Sequence, residues 1–462
     1  MFNPGDFLMK KFFALLMATL FSAVSIIAQT QTNQSKTITL DQALTIAFER
    51  NVTVAQAANS VDIAKAGVLQ AYGSYIPKLG ANGYFERQGA NSPASLRTFG
   101  GFALAYPRID QYYNTYYGAV GLTYTLFDGF NREALFGSAK TGEQQAEQTY
   151  DRTRQSIGYS VMSLYLNVLQ GEQQVKVLQQ NLTNEKNLLV RITEQNRLGA
   201  LAIGDVYREE SIEALAEYNL ISGQNQFDKS KADLLNLLAV DVNQDYVIAD
   251  PSVATQIKQV ETDSSIESLG TFDDLFKRAL VSRLDYAVAQ GGVNLADLGI
   301  TEAWSTYYPN LSVSGSLSTN AQDWPTASSW ANHSTNIALT LSWQLPEIFS
   351  SVQRIQTANI AKKNAVLQMQ QAARDISVQL KKALLDLEAA RKQYVASQKG
   401  EKASEQDRKT AEAKYKLGSG TLLDLQVANA TYLTAQLTTL TNAYNYFTLK
   451  KNLDLVIGEK KY

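Results

Sequence analysis

His333 is the only imidazole in the chain, and there is no cysteine. That composition excludes a disulfide framework, a thiol nucleophile, a cysteine-ligated cluster and a multi-histidine metal centre. His333 lies in a polar insert and reads as a solvent-exposed loop residue. Carboxylates are scattered over polar faces, no glycine-rich loop sits between a strand and a helix, and no serine elbow accompanies the histidine. The sequence therefore predicts no enzyme, cofactor or metal. Two aspartates nevertheless hold matched places, Asp205 six residues after Gly199 and Asp424 six after Gly418. Both are suited to cap the helix that starts there.

The elements that position these residues are exported ones. Lys10 and Lys11 precede an apolar run from Phe12 to Ile27 that ends at Ala28. The run is short for a spanning helix, so residues 1–28 read as a signal peptide, with Met1 and Met9 both open as its start. No later apolar stretch is long enough to cross a bilayer as a helix, and charged residues at 19% with mean hydropathy −0.21 are too polar for a bundle of membrane helices. Lys and Arg total 42 against 44 Asp and Glu, a net charge of −2 that gives no general attraction for nucleic acid.

Any membrane contact must then come from strands. Tyr116, Gly118, Val120, Leu122, Tyr124 and Leu126 alternate with small or hydroxylated residues, and so do Leu311, Val313, Gly315 and Leu317. Ile337, Leu339, Leu341 and Trp343 repeat the pattern, and Leu79, Ala81, Gly83 and Phe85 carry a weaker copy. The strands are expected at about 78–88, 112–127, 310–318 and 336–345, with polar, turn-rich inserts at 88–111 and 319–335. A soluble β-sandwich shows the same alternation. Aromatic residues favour membrane strands instead: Tyr75, Phe127, Trp304, Tyr307 and Tyr308 gather at one end, and Tyr112, Tyr113, Trp324 and Trp330 at the other. Four strands cannot close a barrel, and each bare edge group would cost several kcal/mol in hydrocarbon, so copies of the chain must complete it.

The remainder is helical and duplicated. Tyr75-Ile76-Pro77 matches Tyr307-Tyr308-Pro309, and Leu198-Gly199 with Asp205 matches Leu417-Gly418 with Asp424. Residues 29–240 form a first repeat, 272–462 a second, and 241–271 a segment between them. Each repeat reads helix, strand, strand, long helix, turn, helix. The long helices are expected at about 131–197 and 351–416, reaching ~100 Å at ~1.5 Å per residue, and shorter ones such as Leu40 to Tyr75 reach about half as far. In the first long helix Ile157, Val161, Leu164, Val168, Gly171, Val175, Leu178, Leu182, Glu185, Leu189 and Ile192 recur with spacings of four and three, a coiled-coil seam. A shift of 219 residues places Ile376, Leu380, Ala383, Leu387, Ala390 and Tyr394 in the same register.

With these features the chain resembles the TolC-like outer-membrane efflux and secretion channels. The likeness rests on the duplicated plan, Leu126-Phe127-Asp128-Gly129, the two proline breaks, and the paired turns Arg197-Leu198-Gly199 and Lys416-Leu417-Gly418. It implies a mainly α fold with transmembrane β-strands, assembled as a homotrimer with a 12-stranded barrel in the outer membrane and a long periplasmic α-barrel. It also implies a periplasmic adaptor and an inner-membrane pump as partners, besides outer-membrane lipid. The function implied is a passive exit duct of a tripartite efflux or type I secretion system. By the same resemblance Asp424 matches an aspartate ring that narrows the closed entrance, and Tyr415 and Asp205 match a pair that holds it shut. Leu198, Gly199, Leu417 and Gly418 match adaptor-contact tips. The family's second acidic ring falls here on Val427, and the arginine of its lock on Gly420. Drug efflux, metal efflux and protein secretion would use nearly the same duct. An exported coiled-coil structural or adhesion protein without a channel is the alternative.

Overall fold

The computed structural model describes residues 36–251, 270–329, 332–343 and 348–459. Residues 1–28, read above as a signal peptide, Trp330 and most of the stretch 241–271 lie outside the described residues.

The first repeat opens with β1 (Lys36–Ile38), α1 (Leu40–Arg50) and α2 (Val52–Gly73). The helix expected from Leu40 to Tyr75 is thus two helices. Asn51 ends the first with an extended backbone and starts the second, its Oδ1 accepting from the amide of Thr53 at 2.9 Å. Its Nδ2 donates to the carbonyl of Leu237 at 2.9 Å, which is why the break is there. Pro77, lacking an amide proton, then ends helical backbone for good. Two strands follow, β2 (Lys78–Ser92) and, after a hairpin, β5 (Ile109–Phe127). Then come the long helix α3 (Asn131–Arg197), α4 (Ile203–Leu237) and β6 (Tyr246–Ile248). β6 lies parallel to β1, Lys36 pairing with Tyr246 and Ile38 with Ile248.

The second repeat runs α5 (Phe272–Ser282), α6 (Leu284–Ser305), β7 (Asn310–Ala321), α7 (Trp324–Ser328), β8 (His333–Ser342), α8 (Ile348–Lys416) and α9 (Leu422–Ile457). Arg283 stands where Asn51 stands in the first repeat. It is 2% exposed, and its Nη1 donates to Gln379 Oε1 at 2.9 Å and to the carbonyl of Val456 at 3.1 Å. Both breaks therefore hook a helix pair onto the C-terminal end of a distant helix.

Strands β2, β5, β7 and β8 form one antiparallel sheet in that order. Leu79, Leu122, Gly315 and Ile337 pair across it in one row, and Ala81, Val120, Leu317 and Thr335 in the next. The alternate rows are Gly80, Gly121, Ser316, Asn336 and then Asn82, Ala119, Ser318, Ser334. One face is accordingly apolar and the other small and hydroxylated.

The insert at 88–111 is not a turn-rich loop. β2 and β5 pair from Lys78↔Thr123 to Ser92↔Ile109, and the same register continues through β3 (Ser95–Phe99) and β4 (Phe102–Tyr106). Gly100 and Gly101 turn the ribbon with φ of 57° and 88°, the doubly positive geometry that a two-residue hairpin needs. The ladder is interrupted only beside Pro93 and Pro107, which have no amide to give. Beyond Tyr116, the last β5 residue paired with Ala321 of β7, the ribbon runs ~50 Å on its own at ~3.3 Å per residue. His333 is likewise not a loop residue but the half-buried first residue of β8, paired with Thr319.

The largest core cluster forms a belt around Tyr165, Leu166, Leu234, Leu380 and Tyr446. Tyr165 donates its hydroxyl to the carbonyl of Ile38 at 3.0 Å, tying β1 into that belt. From the belt toward the helical tips the core narrows to two smaller seam clusters. Every expected seam position of α3 from Ile157 to Ile192 is buried or half-buried, as are Ile376, Leu380, Ala383, Leu387, Ala390 and Tyr394 of α8.

Candidate functional site

Two features can serve a conduit: the sheet at one end and the pair of helical hairpin tips at the other. On the sheet the apolar face is bare. Leu79 is 73% exposed and Ile337 81%, whereas a soluble sandwich would bury such rows against a second sheet. From Tyr116 to Leu126 the strand advances about 33 Å, and at a barrel tilt of ~40° this is ~25 Å of apolar height, the thickness of an outer-membrane barrel band. Aromatic rings bound it. Phe127 meets Phe130 at 5.5 Å and Tyr308 at 6.3 Å at the helical end, while Phe85 meets Tyr116 at 4.9 Å and Trp324 meets Tyr116 at 6.0 Å at the far end. Trp343 adds its indole to the first group, donating to the carbonyl of Tyr307 at 3.3 Å.

The tips are two copies of one turn. After α3 the amide of Gly199 donates to Asn196 O at 2.8 Å and that of Ala200 to Gln195 O at 2.9 Å. After α8 the amide of Gly418 donates to Tyr415 O at 3.1 Å and that of Ser419 to Lys414 O at 2.9 Å. Both are Schellman closures, and the glycines take φ of 78° and 71°, which a side chain would strain. Leu198 and Leu417 stand outward beside them at 66% and 82% exposure.

Neither aspartate is the cap residue itself. Asp424 is the third residue of α9, and Thr421 is the cap: the Asp424 amide donates to Thr421 Oγ1 at 3.1 Å, and the Thr421 amide donates back to Asp424 Oδ2 at 3.1 Å. The hydrogen bonds from Thr421 hold the exposed Asp424 carboxyl below the usual carboxylate range. Asp205 is the third residue of α4, whose cap position is Ala202, and its carboxylate is 3.2 Å from Nη1 of Arg208. Tyr415 donates its hydroxyl to Gln195 Oε1 at 2.9 Å, across from one hairpin to the other. Its pKa is raised by burial, and the charges of Asp205 and Glu209 add to this against Arg191. Tyr415 and Asp205 thus feel one another, but the hydrogen bond between the hairpins of one chain goes to Gln195.

Gly420 stands where the resemblance expects an arginine, and the structure gives a reason. A Cβ there would lie 2.9 Å from Lys414 Cβ and 3.3 Å from the Tyr415 amide nitrogen. Val427, where the resemblance expects a second acidic ring, is 57% exposed and carries no charge. Sequence reasoning missed Gln195, Glu209 and Gln426. Their neighbour Glu185 was named only as a position of the α3 seam. Among the described residues, no cluster of His, Asp or Glu could hold a metal ion.

The outer membrane efflux protein family model matches residues 43–240 and 275–459, one segment per repeat. The chain belongs to this family. Among solved structures of the same fold is a membrane protein from Pseudomonas aeruginosa, 18% identical with a TM-score of 0.77 over 91% of this chain and 92% of that one. The CmeC outer membrane channel of Campylobacter jejuni is 17% identical with a TM-score of 0.74, over 94% and 90%. The MtrE outer membrane channel of Neisseria gonorrhoeae, in its open state, is 18% identical with a TM-score of 0.74, over 91% and 88%. No curated protein matches the chain. Membership of this outer-membrane family accounts for the bare apolar sheet, and the tips lie at the far end of helices ~100 Å long.

Proposed function

We propose that three copies of this chain close a 12-stranded outer-membrane barrel continued by a periplasmic helical tube, and that the assembly is a passive exit duct fed by an inner-membrane pump through a periplasmic adaptor. The observation that carries this reading is the sheet: an apolar outer face ~25 Å tall whose two edges, β2 and β8, have no partner among the described residues. In hydrocarbon such edges must be paired, and only sister strands of matching length supply partners. The serine- and threonine-rich face then lines the pore. Leu198, Gly199, Leu417 and Gly418 are proposed as adaptor contacts, with Asp205, Tyr415 and Asp424 at the entrance constriction. Three Asp424 carboxylates around one axis would attract cations and repel one another.

The test is extraction from outer membranes. A heat-modifiable trimer that conducts in a planar bilayer supports the duct, and a monodisperse soluble monomer after signal removal refutes it. For the constriction, Asp424→Asn is expected to change conductance and weaken block by multivalent cations. Unaltered conductance and block would remove Asp424 from the gate.

A further inference from the structure

Along the seam of α3, Glu185 interrupts the apolar residues between two clusters. On its tip side lie Leu188, Ile192, Val206, Leu422 and Leu425, and on its belt side Leu178, Leu182, Ala216 and Leu220. Glu185 is 4% exposed, and it meets the carboxyl of Glu209 on α4, which is wholly enclosed. Gln426 of α9 donates its Nε2 to Glu209 Oε2 at 2.7 Å, so the pair joins three helices from both hairpins. Among the described residues, no hydrogen-bond donor reaches the buried Glu209 Oε1.

The nearby charges are committed elsewhere. On α3, Lys186 turns to Glu213 of α4 at 3.7 Å, while Arg191 acts on Tyr415 and Glu412. On α4, Arg208 is paired with Asp205. On α8, Arg408 and Lys416 both meet Glu412. On α9, Asp424 is turned to Thr421. Among the described residues, neither Glu185 nor Glu209 is ion-paired with Lys or Arg. Two touching carboxylates in such a place cannot both be ionised. One proton resolves both difficulties, because a protonated Glu185 is a donor for the orphaned Oε1.

We infer that Glu185 and Glu209 share one proton and form a latch that clamps α3, α4 and α9 together immediately behind the tips, released when that proton is lost. Burial, followed by the charge of Glu209, pushes Glu185 up to about 7, and burial raises Glu209 as well. The unfolded chain gives up these protons near the ordinary glutamate value of about 4.3. Between that value and 7 the folded pair therefore holds more protons than the unfolded chain, and stability falls as pH rises. The latch is engaged in mild acid and opens through neutrality. Because the site lies where a polar pair divides the tip cluster from the shaft, its release frees the tips without melting the belt. The effect on gating rests on the duct reading; the shared proton does not.

The full chain in detergent is stepped from about pH 6 to about pH 8, across the interval in which the pair would titrate. Wild type is expected to lose an infrared protonated-carboxyl band and to melt a few degrees lower at the upper pH. Glu185→Gln, whose amide keeps the donor, is expected to lack that band loss and to melt at a nearly level temperature, and Glu209→Gln, which removes the repelling charge but leaves Glu185 buried, to move the band loss to lower pH. In bilayers, opening should increase across the same interval in wild type and not in Glu185→Gln. A band loss and melting slope that persist unshifted in both variants, or no band loss in wild type, overturn the shared proton. Conduction whose opening ignores pH overturns the latch. Absence of any conduction counts against the duct, leaving the spectra and melting curves to decide the proton.

Discussion

The two hairpin tips share a turn and differ in what holds it. A shift of 219 residues relates Gly199 to Gly418, Leu201 to Gly420, Ala202 to Thr421 and Asp205 to Asp424. At the first tip Leu201 packs on the cluster of Leu188, Ile192 and Val206, and its carbonyl accepts from Asn196 Nδ2 at 2.8 Å. At the second tip Gly420 lies flat against Lys414, its amide donating to the Lys414 carbonyl at 3.2 Å, and Thr421 and Asp424 cap the helix that follows. The first tip has no side-chain cap on the helix after it, whereas the second adds the Thr421–Asp424 capping box to its hydrogen bonds with the helix before it. The two tips thus share the reversal of the chain and differ in its fastening.

The largest expected effect breaks this comparison at one end only. Gly420→Arg would restore the arginine that the family resemblance expects, but its Cβ has no room against Lys414 and the Tyr415 backbone. Overpacking of this kind costs about 1–3 kcal/mol. Hydrogen exchange of residues 414–424 is expected to quicken at least tenfold, with residues 195–205 unchanged. If the second tip stays protected, the close approach of Gly420 is not what shapes the loop.

Next come the shared glycines. Gly199→Ala and Gly418→Ala meet no atom within 4 Å, so only the left-handed backbone opposes them. That strain is roughly 1–2 kcal/mol, and it should be equal at the two tips. Exchange that quickens by unequal factors would show that the tips differ in the turn as well as in the fastening.

These differences also mark how far the sequence could be read. Periods of 3.5 and 2 are written into single residues, so the α3 seam, the alternating strands and the duplicated order of elements were legible. The glycine turns were legible too, because only a positive φ demands glycine at both Gly199 and Gly418. What stayed hidden depends on partners far along the chain. Asn51 breaks α1 from α2 because Leu237 O lies beside it, and Arg283 does the same with Val456 O. The ribbon hid because Pro93 and Pro107 look like loop residues when their opposite positions are unknown. In the site, Asp424 was seen but its partner Thr421 was not, and Glu185 was seen without Glu209.

A smaller effect removes the fastening of the second tip. Thr421→Ala deletes the hydroxyl that accepts from the Asp424 amide, a loss of about 1 kcal/mol. Protection of the first turn of α9 should fall a few-fold while α4 is untouched. Asp424 contributes in a pH-dependent way. Its carboxyl is lowered in the folded chain by Thr421, so its contribution is present above the unfolded value of about 3.9 and fades as acid protonates it. In Thr421→Ala that acid dependence should flatten. An unchanged acid dependence would mean that Asp424 draws its stability from elsewhere.

The smallest effect makes the two tips alike. Ala202 already has the extended backbone of a cap residue, with φ −73° and ψ 148°, but it has no side chain that can accept. Asp205 already occupies the third helical position, which is the other half of a capping box. Ala202→Thr is therefore expected to add what α4 lacks, protecting its first turn by about 0.5–1 kcal/mol. The box would also draw the Asp205 carboxylate toward residue 202 and away from Arg208, now 3.2 Å distant. A double change, Ala202→Thr with Arg208→Ala, separates the two contributions. If the cap forms, removing Arg208 costs less in the threonine background than in wild type. Equal costs in both backgrounds would mean that Asp205 stays with Arg208 and that the first tip resists the second tip's fastening.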